Sequence, residues 1–144
     1  MKLTVKVSEC SCEKCSKMCH APCCGTPDDM QKLIDAGYGE RLMYDDLPGG
    51  EYMIKPALKG FEGEGAPWEV ASKAGCTFWK DGKCELHESG LKPLQGKLAL
   101  HGQSEKEIDQ VGDFINEAWQ DEKKTNKVIK KWKKLNKWPA INDL

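Results

Sequence analysis

The residues able to do chemistry are cysteines: Cys10, Cys12, Cys15, Cys19, Cys23, Cys24, Cys76 and Cys84, eight in 144 residues. Six of them fall between Cys10 and Cys24, a crowding that random scatter explains poorly. In a secreted chain they would suggest disulfides, whereas in a reducing cytosol they read as metal ligands or redox groups. Several thiolates converging on a point hold zinc or an iron–sulfur cluster, and short spacings make convergence easy. Cys12 and Cys15, two residues apart, can present both sulfurs from one turn. Cys15, Cys19 and Cys23 recur at about one helical turn, on one face if the segment is helical. Adjacent Cys23 and Cys24 cannot point the same way in regular structure. Either one binds while the other packs, or each serves a different ion. Cys10 precedes the dense cluster and reads as a small buried hydrophobe.

Cys76 and Cys84 form the second half of the constellation, on a stretch that reads as a β-hairpin turning at Asp81-Gly82. Register decides their use. A two-residue turn pairs Trp79 with Cys84 and Cys76 with His87, and sends the two sulfurs to opposite faces. A three-residue Lys80-Asp81-Gly82 loop pairs Phe78 with Cys84 and puts both sulfurs on one face. The bulged register is expected if both cysteines bind one metal, the tighter one if Cys76 and His87 are the ligands.

A Cys-rich segment ending in Cys23-Cys24, a capped helix, then Gly75-Cys76-Thr77-Phe78 and Gly82-Lys83-Cys84-Glu85-Leu86-His87 together resemble the CxxCxxCC family. That family is described as a zinc- or iron-chelating domain. The similarity runs from about Cys12 to Lys97 and implies a metal site drawn from Cys12, Cys15, Cys19, Cys23, Cys24, Cys76 and Cys84. The family commonly continues with Arg-Pro-x-x-Cys-Arg. Here the stretch is Lys92-Pro93-Leu94-Gln95-Gly96-Lys97, so Gly96 stands where the last cysteine would be, and His87 where Tyr is usual. The departure points to a compensating ligand, His87 first and His101 next. His20, directly after Cys19, reads as a solvated or hydrogen-bonding residue. The resemblance implies metal binding without a settled reaction. The motif also occurs in flagellin lysine methylases, but no glycine-rich nucleotide fingerprint follows a strand and opens a helix here. Gly60 to Gly65 is glycine-rich yet carries acids that repel phosphate, so methyl transfer by this chain alone is not expected.

These groups must be positioned by short elements. Leu3, Val5 and Val7 alternate with polar residues as in a half-buried strand. Thr26-Pro27-Asp28-Asp29 is a helix start with a capping box, followed by Met30, Leu33, Ile34 and Tyr38 on one face and Gly37 or Gly39 to end it. Asp45 to Pro67 reads as loop around a short extended piece at Tyr52-Met53-Ile54, and Gly90 to Gly102 as a second loop. Ser104 with Glu107 caps a long helix carrying Ile108, Val111, Ile115 and Ala118 or Trp119. A break at Asp121–Lys127, with Thr125 as cap, leads to a last helix with Val128, Ile129, Trp132 and Leu135, ended by Trp138-Pro139. The expected fold is a small metal-stabilised α+β domain: a Cys-rich unit over 1–103 and a helical extension over 104–144 packed on it.

A length of 144 residues suits one domain, and 39% hydrophobic with 31% charged residues excludes a membrane protein and a plainly disordered chain. No stretch reaches the roughly 20 apolar residues of a membrane span, and Met1–Val7 has no apolar run of signal-peptide length. A cytosolic protein is expected. Net charge of −1 hides an asymmetry, since residues 123–137 hold eight lysines and no acid, leaving −9 on the remainder. That basic amphipathic helix fits an acidic partner, nucleic acid or an anionic membrane surface; it fits better a terminal helix docked by its apolar line with its lysines in water, since the stripe is needed for docking. The function expected is metal binding, by zinc or an iron–sulfur cluster. The alternatives are an iron–sulfur enzyme or electron-transfer component, and a metal-ordered nucleic-acid-binding module.

Overall fold

Thr26 opens the first helix with a reciprocal cap. Its hydroxyl accepts from the Asp29 amide at 3.2 Å, and the Asp29 carboxylate accepts from the Thr26 amide at 3.0 Å. Two orphan donors of the first turn are thereby satisfied, and Pro27 at the first helical position has no N–H to satisfy. Helix α1 spans Pro27–Asp35 and ends in a Schellman closure. Gly37, at φ +94°, donates to Ile34 at 3.1 Å and Tyr38 donates to Leu33 at 2.9 Å. The computed structural model describes residues 22–47, 51–65, 75–86, 89–98 and 104–137. The strand expected at Leu3–Val7 and the helix stop expected at Trp138-Pro139 lie outside these residues.

A 3-10 turn at Gly39–Arg41 leads into β1, Leu42–Leu47, which pairs antiparallel with β2, Glu51–Pro56, in the register Leu42↔Pro56 to Leu47↔Glu51. This hairpin contains the expected extended piece Tyr52-Met53-Ile54 within β2 and corrects the expectation of loop at Asp45–Leu47 and at Lys55-Pro56. Its alternation is hidden because both faces are covered: Leu42 and Ile54 enter the main core, while Met43, on the opposite face, packs with Ala57, Leu58 and Phe61. Residues 61–65 fold back beside β1, with Tyr44 donating to Glu64 at 3.0 Å and Gly63 to Leu42 at 2.9 Å. A second hairpin joins β3, Trp79–Lys80, to β4, Lys83–Cys84. The loop expected from Gly90 contains a short helix, α2, at Leu94–Lys97, where Pro93 stands immediately before the first helical residue.

Helix α3, Glu105–Ala118, starts at the expected Ser104–Glu107 capping box. Its apolar line is Val111, Ile115 and then Trp119; Ile108, expected on the same line, is 52% exposed because the first turn is solvated. Helix α4 spans Glu122–Leu135 and is capped by Asp121, whose carboxylate accepts from Lys124 N at 3.2 Å. Thr125 is not the cap: it is buried inside the helix, and its hydroxyl donates to the Trp119 carbonyl at 2.7 Å. That bond closes the corner between the two helices. Val128, Ile129 and Trp132 of α4 join Met30 and Leu33 of α1, Leu42, Ile54, Phe78 and Leu86 in one apolar cluster. Helices and two small antiparallel hairpins around this core make the chain a small α+β domain. Among the described residues no helix is long and apolar enough to cross a membrane.

Two tryptophans tie the C-terminal helices to the rest through buried indole N–H groups, Trp132 to the Leu42 carbonyl at 3.0 Å and Trp119 to the Gly25 carbonyl at 2.7 Å. Trp119→Phe removes the second bond and leaves a buried carbonyl without that donor, a loss of about 1–3 kcal/mol before any repacking. Urea unfolding should register that drop, whereas Ile108→Ala at a solvated position should stay within about 0.5 kcal/mol.

Candidate metal centre

Of the proposed ligands, Cys23, Cys24, Cys76 and Cys84 lie among the described residues, and Cys12, Cys15, Cys19 and His87 lie outside them. Cys10, His20 and His101 lie outside them as well.

Cys23 and Cys24 enter the fold on a backbone held by side chains from distant segments. The Cys24 amide donates to Gln95 Oε1 at 2.7 Å, and the Cys24 carbonyl accepts from the Gln95 amide at 3.0 Å. Asp29 Oδ2, already capping α1, also accepts from the Leu94 amide at 3.0 Å. Gly25 gives its carbonyl to Trp119, and a Cβ on it would meet Asp29 Oδ2 at 2.7 Å and Pro93 Cβ at 2.8 Å. Only a residue without a side chain allows this approach. On the facing segment a Cβ on Gly96 would lie 3.0 Å from Cys23 Sγ and 3.0 Å from Lys92 Cγ and Cε, a tight contact that a small shift of those side chains relieves. The Cys23 sulfur therefore sits directly over Gly96.

Cys24 takes the other direction. It packs against the main core, near the ion pair between Lys55 Nζ and Asp45 Oδ2 at 2.7 Å. Burial pushes its thiol pKa up, Lys55 opposes that shift and Asp45 adds to it. Cys76 is inside the core at 4% exposure. It forms an antiparallel bridge with Leu58, flanked by Thr77 N to Ala57 O at 2.8 Å and Lys59 N to Gly75 O at 2.9 Å. Cys84 is half-buried and borders the same core.

The hairpin adopts the tight register, Trp79↔Cys84 and Lys80↔Lys83. Asp81 at φ 53° and Gly82 at φ 78° form the two-residue turn, the mirror-image geometry that matches strand twist. The bulged register expected for two cysteines on one ion does not form. Pairing does not run on regularly to Cys76 along β3 either, because the chain turns there, with Trp79 N donating to Cys76 O at 3.0 Å. Among the described residues, no three of His, Cys, Asp or Glu converge as they would around an ion.

Sequence reasoning missed the residue that seats the hairpin. Arg41 donates from Nη1 and Nη2 to the two carboxylate oxygens of Glu85 at 3.1 and 2.8 Å, and from Nη2 to the Thr77 carbonyl at 2.7 Å. Its guanidinium carbon lies 4.3 Å from the Phe78 ring centre and 5.8 Å from that of Tyr38. The hydrogen bond to Glu85 raises the Arg41 pKa; burial opposes this, and the charges of Glu85, Tyr38 and Cys76 add to it. Glu85 is held below its ordinary 4.5, chiefly by the hydrogen bond from Arg41. A lone Arg in a turn carries no sequence signal of such a role. An open cleft of about 530 Å³ lies beside Thr26, Asp29, Leu94 and Phe114. Of its four acids, Asp29 and Asp121 are engaged as helix caps, Asp28 is paired with Lys124 at 3.2 Å, and Glu117 is the fourth.

Comparison with family models, with curated proteins and with solved structures gives no match.

Gly96→Cys tests the close approach directly. A disulfide places each Cβ roughly 3 Å from the far sulfur, as follows from an S–S bond of about 2.0 Å. Mild oxidation of that variant should link Cys23 to the introduced thiol, detected as a cross-linked peptide by mass spectrometry. Arg41→Lys tests the hairpin anchor. The exposed ion pair adds little in itself, but loss of the guanidinium bond to Thr77 should cost about 1–2 kcal/mol in urea unfolding. The Glu85 contribution is present above pH 4.5 and lost as pH falls below that value, so the gap between parent and variant should narrow in acid.

Proposed function

We propose that this chain is a cytosolic metal-binding protein of the CxxCxxCC type, holding zinc or an iron–sulfur cluster through cysteines of two segments, Cys12–Cys24 and Cys76–Cys84. One observation carries the reading. The resemblance aligns Gly96 with a cysteine of the family pattern, and a Cβ at that position would touch the Cys23 sulfur at 3.0 Å. Two positions far apart in the chain, aligned with the pattern by their place in the sequence, are thus neighbours in space.

Within the adjacent pair, Cys23 is the ligand and Cys24 the packing residue, because Cys24 lies against the apolar core while the Cys23 sulfur faces the α2 segment. An ion that Cys23 shares with Cys84 fastens the start of α1 to the second hairpin, with Cys76 packed inside the core in the tight register. The described cysteines alone make no group of three, and the set is completed from Cys12, Cys15, Cys19 and His87. Four thiolates, or three with an imidazole, close a tetrahedral zinc site that leaves no position for a reacting water and acts structurally. A cubane cluster takes the same four thiolates and adds an electron-transfer role.

Metal analysis and an absorption spectrum of anaerobically purified protein test the proposal. A colourless protein with bound zinc, or a brown one with iron and sulfide, is the expected result, and absence of any bound metal overturns it. Cys23→Ser and Cys84→Ser should lose the metal, while Cys10→Ser should retain it and Cys24→Ser should retain it with a lower unfolding midpoint. His87→Ala should weaken retention against a competing chelator.

A further inference from the structure

The eight lysines of residues 123–137 are not spread evenly around α4. Thr125, Val128, Ile129 and Trp132 form its buried face. With 3.6 residues per turn, Lys123, Lys127, Lys130 and Lys134 fall diametrically opposite, within about 60° of one another and over roughly 16 Å of axis. All four are exposed. Two of the flanking lysines have partners: Lys124 pairs with Asp28 at 3.2 Å, and Lys133 Nζ lies 5.5 Å from the Tyr44 ring centre. The central four face no acid of their own helix beyond Glu122 in its first turn.

This arrangement costs the isolated helix something. Like charges four residues apart, as in Lys123–Lys127, Lys127–Lys131 and Lys130–Lys134, each destabilise a helix by about 0.2–0.5 kcal/mol. A face kept only for solubility mixes signs, whereas this one holds a single sign on a chain whose remainder carries −9.

We propose that the Lys123–Lys127–Lys130–Lys134 face binds the phosphate backbone of duplex nucleic acid, without reading base sequence. The chemistry of the face selects this partner. Protein interfaces are anchored by aromatic and apolar side chains and depleted in lysine, and no such anchor lies in the stripe. Insertion into a membrane surface needs the apolar side of the helix, which is buried in the core. Single strands are held by stacking on aromatic rings, also absent from the stripe. A line of lysine point charges matches a line of phosphates. The inference stands independently of the metal site.

Fluorescence anisotropy with the full chain and two labelled duplexes of unrelated sequence tests it. Neutralising four phosphates gives a slope of about −3.6 for log affinity against log salt, hence roughly a hundredfold loss between about 50 and 200 mM. Both duplexes should bind alike. Each single Lys→Gln change in the stripe should reduce the slope by about 0.9, and the quadruple variant should abolish binding while keeping its helical circular dichroism. Lys106→Gln on α3 should change nothing. Absence of binding at low salt, an unaltered slope in all four single variants, or tighter retention on phosphatidylserine-containing vesicles than on duplex overturns the proposal.

Discussion

The carboxylate of Asp29 is the constraint on which the placement of the candidate centre depends. Its Oδ2 accepts from Thr26 N, three residues away, and from Leu94 N, 65 residues away. A local helix cap thus doubles as a tertiary bond. The segment entering α1 is thereby fixed against α2, and Gln95 completes the attachment by pairing with both backbone groups of Cys24. Trp119 takes the next carbonyl, that of Gly25. Each of these bonds satisfies a backbone group of the segment or of its neighbour, from the exposed Cys24 amide to the buried Gly25 carbonyl. Residues 23–26 consequently have one available path, and the direction of the Cys23 side chain follows from it.

A second node governs the other half of the constellation. β3 and β4 have two residues each, too few to persist as an independent hairpin. Phe78 and Leu86 bury their side chains at 1% exposure, and Arg41 spans from the ring of Phe78 to Glu85 and the Thr77 carbonyl. Since Arg41 also accepts the Ala57 amide through its own carbonyl, the turn before β1 and the hairpin are held as one piece. If an ion joins Cys23 and Cys84, it bridges two parts that the protein has already ordered separately, and its free energy falls mainly on the segments outside them.

What could be read from residue order was local. Both capping boxes, the Asp81-Gly82 turn and the apolar lines of three helices depend on neighbours within one turn. The β1–β2 hairpin did not declare itself, because burial of Leu42 and Met43 on opposite faces erases the alternation that marks a strand. Thr125 looked like a cap since its residue type suits that role; Asp121, four positions earlier, won the role, leaving the Thr125 hydroxyl for the Trp119 carbonyl. At the candidate centre, residue types identified the cysteines but not their directions. Whether Cys23 or Cys24 faces inward is decided by bonds to Gln95 and by the missing Cβ of Gly96, neither of which local pattern contains.

The charge division follows from the same packing. Helix α4 supplies the core with Val128, Ile129 and Trp132, and seating an apolar stripe of that width turns the opposite side to water whatever residues it carries. Physical chemistry of folding is satisfied by any polar residue there. Lysine at four consecutive stripe positions adds repulsion and, among the described residues, no compensating ion pair, so fold stability does not account for the choice. The flanks show the alternative, since Lys124 meets Asp28 and Lys133 meets the Tyr44 ring where contact with the body is possible. Charge that the fold does not use, held rigidly by a face that it does use, is an arrangement suited to a ligand of opposite sign.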